Sequence, residues 1–321
     1  MTTSRRTFNS GIAALLFTGT SAFAQRETGK LIVGYPAGQS VDAVARVLAE
    51  RLGPAIGRSL IVENMPGLAG SVALAAVSRM PADGSVMTLS ASAAIAGNPF
   101  LYRNVHYDSL KDFEPIGLIY DAPLVLMVNS ALPVQSMQEL VAYAKANPGK
   151  VNYSSPGNGS VSHLAMSELM RRAGIEMTHV PYQGAAKSLT DLAAGQVQVS
   201  FDAYGAAQPF LSGGRVRAVA VSSHERISVL PAVPTVAESG LADFDLVPWV
   251  GLLAPAGLPK ATVDKVSEEL ARIVRSPDFS QRIVALGGRV RSSTAAEFKR
   301  FVRLEVERWA AIVKSSGARL E

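Results

Sequence analysis

A chain of 321 residues whose formal net charge of +5 is scattered, with no Lys/Arg block and no aromatic-basic interleaving, lacks the footprint of a nucleic-acid binder. It contains no cysteine, which excludes disulfides, thiolate metal sites, a cysteine nucleophile and a lipid-anchoring cysteine. Beyond the first 24 residues the hydrophobic runs are short and broken by glycine and proline, so none reads as a membrane-spanning helix, and the length suffices for two domains.

Near the start Ser4-Arg5-Arg6-Thr7-Phe8 opens a positive segment, followed by an apolar stretch at 11–23 that Ala22-Phe23-Ala24 closes in an A-x-A cleavage pattern. This predicts a secretory signal peptide over 1–24; the alternative is an uncleaved anchor, but the apolar run is too short to span a bilayer. The Arg5-Arg6 pair with Phe8 points to the twin-arginine route, with Ser10 where a lysine is usual. Removing 24 of 321 residues leaves 297, and losing Arg5 and Arg6 lowers the charge from +5 to +3. Without covalent staples, those residues must be held by a buried core, and the length allows one.

Strand-like runs then alternate with helical ones. Residues 30–35 read as a strand and 41–52 as a helix that Gly53-Pro54 would stop. A strand at 59–63, a helix after Gly70 and a strand at 86–90 follow, an order that predicts a parallel sheet covered on both faces. The long β-rich run 113–128, punctuated by Pro115 and Pro123, precedes a helix at 136–147. Strands at 151–154, 177–180, 197–201 and 216–221 are interleaved with helices at 160–174 and 185–194. Residues 244–253 are extended again, and 260–274 and 294–314 are amphipathic helices. The last carries Phe298, Phe301, Val302, Val306 and Trp309 at helical spacing, a core face. The chain therefore holds two α/β units, with 113–128 and 244–253 as the natural crossings between them.

Each unit contains a small-residue corner between strand and helix. The first lies in GYPAGQSVDAVAR at 34–46, the corner itself being Ala37–Ser40, and the second in YSSPGNGSVSHL at 153–164, the corner itself being Ser154–Ser160. A helix start leaves N–H groups unpartnered and carries partial positive charge, and glycine lets a ligand approach the backbone, so such corners favour an anion. The competing reading of each corner alone is that Ser40 or Ser160 caps its own helix. Two matching corners, one per unit, could face each other across a cleft. Neither contains Arg or Lys, no Walker loop is present, and Gly157-Asn158-Gly159 fails the dinucleotide fingerprint because Ser162 stands at its third glycine. A carboxylate suits such a neutral set of N–H and hydroxyl donors better than a phosphate. At about 1.5–3 kcal/mol per charged hydrogen bond, four or five give a gross gain comparable with the cost of association, so contacts to the rest of the ligand must set affinity.

Catalytic signatures are missing. The four histidines, His106, His163, His179 and His224, form no H-E-x-x-H, and there is no G-x-S-x-G elbow. Ser160 and His163 stand one helical turn apart and mimic a nucleophile–base pair, but a capping serine and a cleft-lining histidine explain them as well. Asp202 ends the strand VQVSF, where it could meet an amine or hydroxyl of a ligand or cap the turn that follows. Asp42 falls in a first helical turn and favours the helix dipole. Three readings stand at this point: a carboxylate receptor, a periplasmic α/β hydrolase-like enzyme, and a surface-interaction protein that uses the cleft for a peptide.

The run YPAGQSVDAVARVLAERLGPAIGRSLIVENMPGLAGSVA resembles the opening of the extracytoplasmic solute receptors of tripartite tricarboxylate transporters, the Bug receptors. YSSPGNGSVSHLA, HVPYQGAAKSLTDLAAGQVQVSFDA, LPAVPTVAESGL and WVGLLAPAGLP resemble the same family in the same order, from about Lys30 to the end of the chain. The resemblance implies an α/β, two-lobe periplasmic binding protein (clamshell) fold with two hinge-crossing strands. Residues 25–122 and 248–321 would form lobe 1 and 123–247 lobe 2. It implies a non-enzymatic periplasmic receptor for a di- or tricarboxylate, an acidic amino acid or an aromatic acid, handed to membrane permease subunits or, in some members, used for sensing; a monomer is the default expectation. No catalytic residue, metal or cofactor is expected. Tyr35, Ala37, Gly38, Gln39 and Ser40 would bind ligand from the first corner, and Ser154, Ser155, Asn158, Gly159, Ser160 and His163 from the second. Ser92, in a stretch with few polar residues, would add a contact, and Asp202 would meet the distal end. Gln39 departs from the second glycine usual in the family and would narrow or reshape the pocket.

Overall fold

The computed structural model describes residues 27–318 and Leu320; the signal peptide and twin-arginine signal read from the sequence lie outside them. The chain runs β1 (Glu27–Val33), α1 (Ser40–Ile56), β2 (Arg58–Asn64), a 3-10 turn at Leu68–Gly70, α2 (Ser71–Val77) and β3 (Val86–Ala91). A π-helical turn at Ala93–Gly97, α3 (Asn98–Leu101) and β4 (Phe113–Asp121) follow. Next come β5 (Leu124–Asn129), α4 (Met137–Ala146), β6 (Asn152–Ser155), α5 (Val161–Ala173), β7 (Thr178–Pro181), α6 (Ala185–Ala193), β8 (Val199–Ala203), α7 (Tyr204–Ser212) and β9 (Val216–Val221). The chain closes with β10 (Trp249–Pro255), α8 (Lys260–Val274), α9 (Pro277–Ala285), β11 (Arg289–Val290) and α10 (Ala295–Ser316).

Two sheets result, one of six strands in the order β11-β4-β10-β3-β1-β2 and one of five in the order β7-β6-β8-β5-β9. Helices cover both, giving two α/β lobes. The run 113–128 divides at Ala122-Pro123: β4 belongs to the first sheet and β5 to the second. The chain returns between β9 and β10 through 222–248, where Phe244 and Leu246 are buried without joining a strand. At the first crossing Asp121 is buried and accepts hydrogen bonds from Arg289 at 2.8 Å and Arg291 at 2.7 Å.

The expectation of parallel sheets needs correction. Only β2–β1–β3 and β7–β6–β8 are parallel. The strands that enter each sheet from a crossing run the other way: β10 is antiparallel to β3 and β4, and β5 to β8 and β9. Helix α1 also passes through Gly53-Pro54 to Ile56 and ends at Gly57, whose left-handed φ of 83° closes it. Pro54 lies in the last turn, where its missing N–H forgoes a single helical hydrogen bond. Gly53 serves packing instead, since a Cβ there would sit 3.0 Å from the Arg58 carbonyl oxygen in β2.

One apolar cluster fills the α1, α8 and α9 side of the first sheet with Leu31, Leu48, Leu252, Val266 and Phe279. Another fills the α6 and α7 side of the second with Val125, Leu189 and Val221. The third is shared: Ile32, Leu74, Leu126, Tyr153, Leu164, Phe201, Trp249 and Trp309 form one continuous body from lobe to lobe. Helix α10 packs on β4 of the first lobe and on α5 of the second. Beyond it, Leu320 bridges to Tyr102, and its side chain lies over Gly159.

Candidate functional site

Both corners occupy equivalent places in the two sheets. From β1 the chain passes through α1 to β2 on one side, then through α2 to β3 on the other. From β6 it passes through α5 to β7 on one side, then through α6 to β8 on the other. The carboxyl ends of β1 and β6 are therefore topological switch points, the places where open α/β sheets bind ligands.

From the left-handed glycine onward the two corners correspond residue by residue. Gly38 has φ 87° and Gly159 φ 74°, and each precedes an extended residue at the helix N-cap, Gln39 in one and Ser160 in the other. Gln39 thus matches Ser160, and Ser40 lies inside the first turn of α1, so it does not cap that helix. Ser160 does cap, its Oγ accepting the His163 N–H at 3.2 Å. Gln39 makes no side-chain capping bond and is exposed, as are Ala37, Gly38 and Ser40.

The glycine N–H groups, expected among the donors, turn inward. Gly38 N–H donates to Asp42 Oδ2 at 2.8 Å, and Gly159 N–H donates to His163 Nδ1 at 3.0 Å, each four residues on. The donors left open are in the first helical turns: the N–H groups of Ser40, Val41, Val161 and Ser162 have no acceptor among the described residues. The glycines shape each corner, and the helix starts supply the partial positive charge.

Asp42 is buried, with Arg46 forking onto it through Nε and Nη2, both at 3.0 Å, and Asn64 Nδ2 donating at 2.9 Å. Arg46 first, then the Gly38 N–H and Asn64, hold its carboxyl down to about 2. The cation nearest in sequence to the first corner is therefore already engaged. Tyr35 is half-buried; its hydroxyl donates to the Ala69 carbonyl at 3.2 Å, and Asn64 Nδ2 also donates to the Tyr35 carbonyl at 2.9 Å. Burial pushes the phenol of Tyr35 up.

Ser92, after β3, and Ser154 and Ser155, on β6, are all buried. Ser92 Oγ accepts the Trp249 N–H at 3.4 Å, which ties the returning strand β10 to the end of β3. Ser188 Oγ donates to Ser154 Oγ at 2.9 Å. Ser155 Oγ lies 3.0 Å from the Gly157 carbonyl oxygen and 2.8 Å from His179 Nε2. Asn158 is exposed. His163 stacks on His179 with ring centroids 4.1 Å apart and planes 4° from parallel, and Tyr153 stacks on His179 at 4.8 Å and on His163 at 6.5 Å. Burial lowers the pKa of His163, and burial with the facing His163 lowers that of His179 to about 4.

Asp202 sits near the carboxyl end of β8, paired with Val125 of β5. Its Oδ1 accepts the Ala203 N–H at 2.8 Å, whereas Oδ2 is buried with no partner. Burial raises its pKa to about 7. The N-cap position of α7 is Ala203, so Asp202 does not cap that helix. His179, Ser188 and Asn64 escaped the sequence reading; His179 was accessible through strand pairing, since it lies opposite Tyr153. Among the described residues no group of three or more His, Cys, Asp or Glu could hold a metal ion.

Residues 44–318 match the family described as the tripartite tricarboxylate transporter family receptor. Protein BugT of Bordetella pertussis is 32% identical over 293 residues, 91% of this chain and 90% of that protein. A solved structure from R. palustris with adipate superposes with a TM-score of 0.81 at 32% identity, covering 92% of this chain and 99% of the other. MatC from Rhodopseudomonas palustris with bound malate gives a TM-score of 0.75 at 29% identity, covering 89% and 99%.

Proposed function

Because the chain belongs to the tripartite tricarboxylate transporter receptor family, whose members are solute-binding receptors and not enzymes, we propose that it captures a small carboxylate in the periplasm and presents it to membrane permease subunits. The observation that carries this reading is the pair of corners in register, at the switch points of two sheets, with open first-turn N–H groups and no Lys or Arg within either corner. Such a site favours a carboxylate held by backbone dipoles. The relatives solved with adipate and malate support dicarboxylates as first probes.

In this reading Tyr35, Ala37, Gly38, Gln39 and Ser40 form one jaw, and Asn158, Gly159, Ser160 and His163 the other. Ser92, Ser154 and Ser155 back them, and the unpartnered oxygen of Asp202 meets the distal end of the ligand. The lobes are taken as 25–122 with 248–321 and as 123–247, hinging at the two crossings. The test is a thermal-shift panel of di- and tricarboxylates, acidic amino acids and aromatic acids, followed by calorimetry. A ligand at 100 times its Kd adds about 2.7 kcal/mol of stability. A panel without any shift would count against the receptor reading.

A further inference from the structure

We propose that His163 is a positioning residue for the second corner: its neutral ring holds Gly159 through Nδ1, and acid releases that corner while the first stays fixed. The inference rests on the receptor reading only for its effect on ligand; the hold on Gly159 stands on geometry. The two corners use the same device with different acceptors. Four residues after each left-handed glycine, a side chain takes the glycine N–H: a carboxylate oxygen of Asp42 in the first, an imidazole nitrogen of His163 in the second. Asp42 is ionised far below neutrality and keeps its acceptor at any pH the folded protein meets. His163 can accept only while Nδ1 carries no proton, which puts the ring proton on Nε2. Protonation sets an N–H against an N–H, and the corner loses the bond that fixes Gly159 between Ser155 and the open donors Val161 and Ser162.

His179 sharpens the effect. Its ring lies parallel to that of His163 at 4.1 Å, so a charge on one opposes a charge on the other. The groups facing the pair offer little compensation. On β6, Tyr153 stacks on His179 and burial pushes its phenol up to about 12, so it stays neutral. Glu168 of α5 is engaged by Arg171 and Arg172. On α10, Glu305 is taken by both tryptophan indoles and Arg308. Strand alternation puts Asp202 on the face opposite Phe201 of the shared cluster, away from the imidazoles. Leu101 and Leu320 lie over Gly159 itself. Both histidines titrate below their ordinary value, so the hold is complete at neutral pH and fails as the pH falls through the acid range.

The test follows the Gly159 amide by NMR and hydrogen exchange between pH 7.5 and 4.5 in the wild type, His163→Asn and His163→Leu. The asparagine keeps a side-chain acceptor that does not titrate. The expected result is a wild-type Gly159 resonance and protection that move with the imidazole titration, an unmoved resonance in His163→Asn, and lost protection at every pH in His163→Leu. Gly38, held by Asp42, is the internal control and stays in place. With adipate and malate as probes, wild-type affinity falls about tenfold more than that of His163→Asn over the same range; this comparison cancels the titration of the ligand and of Asp202. A Gly159 amide indifferent to the His163 titration, or superimposable pH profiles for wild type and His163→Asn, overturns the proposal. If neither acid binds, the receptor reading suffers, and the Gly159 amide still decides the role of His163.

Discussion

Asp202→Asn should make the ligand-free protein more stable at alkaline pH. The wild-type carboxyl is 5% exposed, with one oxygen unpartnered, and burial lifts its pKa from 3.8 to about 7. That difference favours the protonated form in the folded state by about 4 kcal/mol. A carboxyl with a raised folded pKa stabilises fully below its unfolded value, and this contribution is lost as the pH rises through about 7. Asparagine keeps an oxygen for the Ala203 N–H and does not ionise. Melting both proteins at pH 5 and pH 8 isolates the effect, because every other titration, including that of the histidines, is common to the pair. Between pH 5 and pH 8 about 2.6 kcal/mol of this is lost, because the unfolded carboxyl is already ionised at pH 5, so at about 2 °C per kcal/mol for a chain of this size the ceiling is a change of about 5 °C in the Tm difference, with the variant gaining at pH 8. Equal pH dependence in the two proteins would refute the claim that Asp202 is a desolvated, titrating carboxyl.

Two further substitutions probe the packing around the site. Gly159→Ala combines φ 74° with a Cβ 2.7 Å from Leu320 Cδ1, whereas Gly38→Ala has φ 87° and open space; urea denaturation should show about 1–2 kcal/mol lost at Gly38 and about 2–4 kcal/mol at Gly159. Glu305 Oε2 accepts both buried indole N–H groups, from Trp249 at 2.7 Å and Trp309 at 3.1 Å. Glu305→Leu should therefore cost about 2–5 kcal/mol and Glu305→Gln about half of that, followed by the fluorescence of these two tryptophans, the only ones in the chain.

The two corners were legible because proline, glycine and serine between a hydrophobic run and a helical period mark a strand-to-helix turn in any context. Strand direction was not: apolar alternation carries no sense of polarity, so β5 and β10 read like the parallel strands beside them although the crossings reverse them. Helix α7 was hidden by Gly205 and Pro209 within nine residues and by a single fully buried side chain, Ala207. Helix α9 has a readable start in Ser276-Pro277-Asp278, but its nine residues are too few to establish a helical period. The destination of the glycine N–H groups needed three dimensions. Asp42 and His163 each stand four residues after a corner glycine, but that spacing becomes a hydrogen bond only with the glycine left-handed and the next residue extended.

The apolar body that runs from Ile32 and Leu74 through Trp309 to Leu126 and Phe201 has a consequence for how the molecule moves and how it can be cut. Halves joined by so much buried oil cannot part like independent beads on a string. In the receptor reading, bending at the two crossings has to leave this body buried, because α10 packs on both halves. For the same reason, a fragment comprising either half alone would bare a broad greasy surface, so neither is a sound candidate for expression as a separate module.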